Sequence, residues 1–457
     1  MAAEKKITCL GAGSFYFLRA IPDLVLSRDL AGSEVVLYDM DAEKAERMAA
    51  MGRRVAAQAE TGFCVRAANG LADAVDGADF AISSIGGSGA EVTANVYGSS
   101  YHAADLAIPA KYGIQQIVGD TCGPAGMMMG LRSIPAYLAI CREMEKRCPN
   151  VVVLNHSNPM AALCRALHKY TGLSVVGICH GVQHGISVAA GILGVPAQEL
   201  DCLWIGTNHY YWFTRVLHHG KDAYPELMAR LAAREAPQGR RLSTHLSRTY
   251  GFQIVYPEDD HIIEFYPFMA QAPGGPEQLP YGLAEAARHF AEHASAAPAG
   301  AQASPEEARA GFLQRYQEIL DGQHLPETQD NTVTGEGIGS LVSAIATGRR
   351  QVCIANIANS GAIPNLPATA EVEIEAVTDS RGVRSIHMGE CPLVLKGILE
   401  KRFVWHELVA DAAVRGDRNL ALQALLMDEV SIWPDQAEAM LDELLAASKP
   451  LLPQFAR

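Results

Sequence analysis

The chain has 457 residues, 49% of them hydrophobic and 19% charged, enough for two or three folded domains and too apolar for intrinsic disorder. Its formal net charge of −14 opposes a phosphate backbone, so no nucleic acid is expected as a partner. The ten cysteines form no regular pairs, the first residues lead straight into an apolar strand, and no run approaches the roughly 20 apolar residues of a membrane helix, so a soluble cytoplasmic protein with no membrane contact is expected.

Ile7-Thr8-Cys9-Leu10 reads as a buried strand, Gly11-Ala12-Gly13-Ser14 as a glycine turn, and Phe15 to Leu26 as a helix. A second strand, Glu34 to Tyr38, ends at Asp39, and a charged, Ala-rich helix follows that Asp41 could cap. Asp79 to Ile85 is a further strand, opening into the loop Gly86-Gly87-Ser88-Gly89. Val151 to Asn155 and Val175 to Cys179 are two more β-branched runs. Short strands spaced by helical patterns predict an α/β fold, a Rossmann-type doubly wound parallel sheet over residues 1–195. After Pro196 the texture changes to mixed strands, longer loops and Ala-rich helices, which predicts a C-terminal α+β domain over residues 196–457. Leu283 to Ala310 reads as exposed helices interrupted by Pro298 and Pro305, and Val404 to Leu445 as helix broken only at Pro434.

A dinucleotide pyrophosphate needs a turn that lets it approach the backbone, followed by a helix N-terminus. Gly11 and Gly13 supply the turn, although Tyr16 stands where the pattern has a third Gly or Ala. Asp39 is the residue type that binds the adenosine ribose of NAD and repels the extra phosphate of NADP. A glycine turn of another α/β fold, with Asp39 as a helix cap, is the plain alternative.

Cys179-His180-Gly181 closes a strand where open parallel sheets present ligand-binding residues. Asn208-His209 precedes an aromatic run. Cys179 and His209 are metal-ligand types at a spacing that excludes a closed four-ligand zinc site but leaves an open catalytic one; an inert buried thiol and a core histidine are the alternatives. The loops Gly119 to Gly126 and Asn155 to Met160 could be chemical or simply turns and caps. Asp259-Asp260-His261-Ile262-Ile263-Glu264 gathers three carboxylates and an imidazole, or is a solvated loop leading into a strand.

Together these segments resemble glycoside hydrolase family 4, the NAD- and divalent-metal-dependent glycosidases related in fold to lactate and malate dehydrogenases. The resemblance rests on the glycine turn, Ile108-Pro109-Ala110-Lys111-Tyr112-Gly113, Gly119-Asp120-Thr121-Cys122-Gly123-Pro124, Asn158-Pro159-Met160, Cys179-His180-Gly181, Thr207-Asn208-His209 and Asn359 to Pro367. It implies NAD on Gly11, Gly13, Ser14, Phe15 and Asp39, and manganese or another divalent metal on Cys179 and His209. Asn158, His180 and Asn208 would touch the sugar. Asp259 matches the family's base in an Asp-Arg-His loop, with Asp260 in place of the arginine, so either Asp259 or Asp260 would be the base, and His180 would donate a proton to the leaving oxygen.

The implied reaction starts with oxidation at sugar C3, which acidifies the C2 proton. Metal-assisted deprotonation, elimination of the aglycone, addition of water and re-reduction follow. Gly181 after Cys-His resembles the α-uronidase pattern, so α-glucuronides or α-galacturonides are expected ahead of 6-phosphoglycosides. Arg132, Lys111, Arg215 and Arg248 are the candidate cations for a uronate. A homodimer or homotetramer is implied as well. The rivals are an NAD-dependent 2-hydroxy acid dehydrogenase, a 6-phosphoglycosidase of the same family, and a catalytically silent NAD-binding regulator.

Overall fold

The computed structural model describes residues 4–86, 99–233, 236, 239–256, 258–293, 313–314, 316–321, 331–332 and 335–456. Six parallel strands from the first half lie in the order β6-β5-β4-β1-β2-β3. They are β1 (Lys6–Leu10), β2 (Glu34–Tyr38), β3 (Cys64–Ala67), β4 (Phe80–Ser83), β5 (Val152–Asn155) and β6 (Ser174–Gly177). Helices cover both faces, which is why these strands are near-continuous apolar runs; Ile7, Val35, Ala81 and Leu154 have no exposed surface. Ile7, Val35 and Leu154 each contribute about 1.5–3 kcal/mol by leaving water, and Ala81 less. The strand order reverses between β1 and β4, and it is outside the carboxyl ends of strands at such a point that open α/β sheets bind ligands.

The second half contributes to three sheets. β7 (Leu200–Thr207), β8 (Tyr210–His218), β9 (Lys221–Asp222) and β10 (Ile254–Tyr256) form a small antiparallel sheet, and β11 (Asn331–Thr332) pairs with β12 (Gly335–Glu336). β13 (Val352–Ala358), β14 (Glu371–Asp379) and β15 (Gly382–Ser385) instead return to the first sheet and extend it antiparallel beyond β6. Asn356 lies opposite Gly177, where an added Cβ would stand 2.8 Å from the Asn356 Cβ. The division expected near residue 195 therefore marks the end of the parallel strands, and the two halves share one sheet.

Asp41 caps the helix Ala42–Ala59, its Oδ1 accepting the Glu43 and Lys44 N–H groups. The C-terminal helical run is broken at Gly416 and Asp417, between helices Leu393–Arg415 and Arg418–Met427, and Pro434 opens the third helix, Pro434–Ala447. Proline suits a first helical turn, where its missing N–H has no intrahelical partner to lose. Of the Ala-rich segment, helix Leu283–His293 is present, while 294–310 lies outside the described residues, as does most of the loop after Gly86.

His406, on the long helix Leu393–Arg415, is buried, and its side-chain pKa lies well below 6.5 because of burial first and the neighbouring Arg402 charge second. The unfolded chain protonates this imidazole below about pH 6.5 and the folded chain does not, so stability falls as pH drops through that value, by up to about 1.4 kcal/mol per unit. Denaturant unfolding between pH 5 and 7.5 should show a shallower slope in His406→Gln than in the wild type; an unchanged slope contradicts the assignment.

Candidate active site

The glycine turn forms where β1 ends. Gly11 has φ +77°, and a Cβ there would stand 2.2 Å from the Ser84 carbonyl oxygen, so only glycine lets β1 and β4 close up at this point. The Gly11 and Ala12 N–H groups donate to the Tyr38 carbonyl at 2.9 and 3.0 Å, tying the turn to the end of β2. Asp39 follows there, and its Oδ2 accepts the Gly13 N–H at 2.8 Å. Ser14 Oγ lies 2.9 Å from Ser84 Oγ, and Phe15 is half-buried in the same turn. Tyr16, in the third fingerprint position, has its hydroxyl 2.8 Å from His156 Nε2 and stacks on that imidazole at 4.1 Å. The helix begins after it, at Phe17.

One strand pair away, four loops converge on a buried carboxylate. Asp120 Oδ1 accepts the Thr121 hydroxyl at 2.6 Å and His261 Nε2 at 2.9 Å, while Oδ2 accepts Asn158 Nδ2 at 2.7 Å. Since the Thr121 proton points at Asp120, Thr121 Oγ1 is left to accept from His209 Nδ1 at 3.0 Å. That fixes the imidazole proton on Nδ1 and leaves the Nε2 lone pair facing Cys179 Sγ, 3.4 Å away. A thiolate and a neutral imidazole closer together than the sum of typical metal–sulfur and metal–nitrogen bonds can both touch one cation, and the outer partner on Nδ1 is what metal-binding histidines carry. Burial, with His261 next, pushes His209 down to about 3, so it stays neutral as a ligand must.

The Asp120 charge explains the rest of the electrostatics. Burial works against ionising His261, but Asp120 holds it protonated, with a pKa up at about 9. Burial likewise opposes the Asp120 charge, and His261 holds that carboxyl well below the usual range. Glu264 joins the two loops, its Oε1 accepting the Val118 and Gly119 N–H groups at 2.8 and 2.5 Å. Burial pushes its carboxyl up to about 8. Asp120, Thr121, His261 and Glu264 had no assigned role in the sequence reading. The signal for Asp120 and Thr121 was a polar loop bounded by Gly119 and Gly123, both at positive φ, and that for His261 and Glu264 the run of carboxylates after Glu258; each resembles ordinary turn chemistry until His209 is seen against it.

Several expected site residues stand elsewhere. Asp259, matched to the base, has both carboxylate oxygens occupied, accepting the Leu242 and Ser243 N–H groups at 2.7 and 2.8 Å at the start of helix Arg241–Tyr250. Both oxygens thus serve the start of that helix. Asp260 is half-buried and makes no side-chain hydrogen bond among the described residues. Asn208 is buried, its Nδ2 donating to the buried Glu373 on β14 at 3.0 Å. His180 is exposed at the N-terminus of helix Gly181–Leu193. The four candidate cations are all engaged: Arg132 with Asp105, Lys111 with Glu443, Arg215 with Asp201, and Arg248 with the Leu231 carbonyl.

A Rossmann-type sheet with a thiol–imidazole pair at the end of its sixth strand defines an α/β enzyme fold with a site for an open metal centre. The sequence profile described as Family 4 glycosyl hydrolase matches residues 6–193, and the one described as Family 4 glycosyl hydrolase C-terminal domain matches residues 204–431. The chain belongs to family 4 of the glycosyl hydrolases. It is 25% identical over 458 residues to an α-galactosidase of Bacillus subtilis (strain 168), covering 99% of this chain and 100% of that one. To an α-galacturonidase of the same organism it is 27% identical over 469 residues, covering 96% of each. The fold matches that of a 6-phospho-α-glucosidase from gut microorganisms, solved in complex with NAD and Mn²⁺, with a TM-score of 0.77 at 20% identity and 99% coverage of both chains.

Replacing Asn208 by Ala removes the donor to the buried Glu373 carboxylate and should cost about 1–3 kcal/mol in urea unfolding while leaving KM for the glycoside near the wild-type value. A raised KM with unchanged stability would restore Asn208 to the sugar site.

Proposed function

We propose that this protein hydrolyses α-glycosides, α-hexuronides first among them, by redox-assisted elimination. The observation that carries the reading is the Cys179–His209 pair, with the imidazole proton placed on Nδ1 by Thr121 and Asp120. The donor set fits a divalent cation, manganese by kinship, held by Cys179 and His209. The turn at Gly11, Gly13, Ser14 and Phe15, with Asp39 at its side, fits the pyrophosphate and ribose of NAD. When bound, the dinucleotide supplies reversible oxidation at sugar C3 and the cation supplies Lewis acidity at the C2–C3 edge.

The side chains then divide the remaining work. Asn158, held to Asp120, lies beside the C2–C3 edge and orients its hydroxyls. Protonated His261 and charged Asp120 form a fixed ion pair that keeps the His209 tautomer and needs no rearrangement during the reaction. Asp260, on the turn that carries His261, removes the C2 proton. The C1–oxygen bond then breaks, and His180 gives a proton to the departing oxygen. Addition of water across C1 and C2 returns the C2 proton, so the balance is hydrolysis with no net redox.

The α-hexuronide preference rests on the α-galacturonidase relative and on Gly181 after Cys179-His180. The ten cysteines are all free thiols, in keeping with a reducing cytoplasmic setting. No described helix is long and apolar enough to cross a membrane. A homodimer or homotetramer is proposed on kinship alone.

Release of 4-nitrophenol from α- and β-linked glucosides, galactosides, glucuronides and galacturonides, with NAD, Mn²⁺ and thiol each present or omitted, tests the reading. Cleavage should require all three and leave no NADH. Asp260→Ala should lose about 10²- to 10⁴-fold in kcat with its unfolding midpoint kept, whereas Asp259→Ala should lose stability through its missing helix cap. Steady NADH production from a hydroxy acid, with no glycoside cleaved, would falsify the proposal.

A further inference from the structure

At the far end of the strands that carry His209, two imidazoles converge on one carboxylate oxygen. Glu199, immediately before β7, has its Oε2 2.9 Å from His218 Nε2 and 3.1 Å from His219 Nε2, and the two ring centres stand 4.4 Å apart. Strand register makes the meeting local: Leu200 lies opposite His218, and the His219 backbone nitrogen is 3.5 Å from the Glu199 carbonyl oxygen. His218 pairs with Lys221 across a hairpin turn in which His219 and Gly220 have φ +49° and +74°. A turn this tight needs positive φ at both central positions, which Asn and Gly usually supply. Here the first position instead brings a third metal-ligand side chain beside the other two.

The spacing suits a cation. Around a tetrahedral zinc ion, bonds of about 2.0–2.2 Å place ligand atoms about 3.3–3.5 Å from one another. The observed 2.9 and 3.1 Å separations need to widen by only a few tenths of an ångström, and a neutral imidazole with its proton on Nδ1 presents the Nε2 lone pair where Glu199 now stands. Glu199, His218 and His219 are 36%, 32% and 65% exposed, so an ion reaches them from solvent without opening the fold, and water completes its shell. Lys221 is exposed too and keeps its ammonium in water. Two imidazoles with one carboxylate suit zinc, nickel or copper(II) far better than magnesium, which takes oxygen ligands. Along β7, Thr207 lies opposite Tyr210 at the His209 turn and Leu200 opposite His218, a difference of 207 − 200 = 7 residues. At the rise of a strand that is about 23 Å, well outside the Cys179–His209 pair.

We infer that Glu199, His218 and His219 form a second metal site, which takes a divalent cation of the zinc class. It carries no step of the glycoside reaction and stands or falls independently of it. An ion bound there ties the β8–β9 hairpin to the segment ahead of β7, clamping one end of the strand pair whose other end presents His209. Since the unfolded chain does not hold the three ligands together, the ion stabilises the fold by mass action.

The probe is Zn²⁺ alone, titrated calorimetrically into the full chain carrying Cys179→Ser, which lacks the active-site thiol, and into the same chain with Glu199→Gln, His218→Gln or His219→Asn added. Asn suits the left-handed backbone at 219, so that variant removes the ligand and keeps the turn. The parent should bind Zn²⁺ in preference to Mg²⁺, and each added substitution should weaken Zn²⁺ at least about 10- to 100-fold, the loss typical of removing even an outer partner of a metal ligand. X-ray absorption of the zinc-loaded parent should show nitrogen and oxygen neighbours at about 2.0–2.2 Å and no sulfur at about 2.3 Å. Zn²⁺ should also raise the thermal midpoint of the parent and leave that of the His219→Asn chain unmoved. Unchanged affinity in all three variants, sulfur among the neighbours, or equal binding of Mg²⁺ overturns the inference. If Cys179→Ser shows no cooperative transition, the same comparison is made in the wild type, where His219→Asn should bind one Zn²⁺ fewer per chain. No glycoside is present in any arm, so failure here leaves the hydrolase reading standing, and failure of that reading leaves the metal site standing.

Discussion

A single buried negative charge organises this molecule. A carboxylate as enclosed as Asp120 costs several kcal/mol unless it is met by hydrogen bonds and a compensating charge. Here the answers come from Thr121, Asn158 and His261, in segments far apart along the chain. Satisfying one anion therefore forces three loops together, and a fourth, carrying His209, follows because Thr121 has a lone pair to offer. The Cys179–His209 pair inherits its geometry from that arrangement.

The sheet supplies the places from which these loops start. Asp120 precedes the helix Gly123–Arg147, Asn158 follows β5, Cys179 follows β6, and His209 joins β7 to β8. The first three stand on the scaffold that also carries the glycine turn, so the dinucleotide and metal sites share one set of strand ends. The small antiparallel sheet brings in His209, and the segment after β10 brings in His261 and Glu264.

Much of this was legible in the sequence where the physics is local. β2 was read with its observed ends, and the turn at Gly11, the Asp41 cap and the closeness of Cys179 to His209 all follow from short-range patterns or family likeness. What escaped was long-range. The return of β13 to β15 beside β6 leaves no mark in periodicity, because an added antiparallel strand looks the same in either sheet. Asp259 and Asp260 are neighbours of identical type, and only the position of helix Arg241–Tyr250 shows that the first accepts backbone N–H groups at that helix start. Asn208 sits beside His209 in sequence but reaches Glu373 on β14, because the two lie in the tight turn between β7 and β8, where His209 takes a positive φ and its side chain leaves in another direction. The cations named from sequence were visible as charges, but their partners were not, and those partners decide which of them remain for a ligand.

The junction of Gly177 with Asn356 also bears on how the chain is made. As synthesis proceeds from the N-terminus, the six parallel strands emerge well before β13, and until it arrives β6 is an open edge with unpaired backbone groups. The nascent first half is therefore an intermediate with an exposed strand edge, covered only once β13 has been made. A pause in translation between these segments would lengthen its exposure, and the halves expressed as separate polypeptides would have to find one another before either was safe from aggregation.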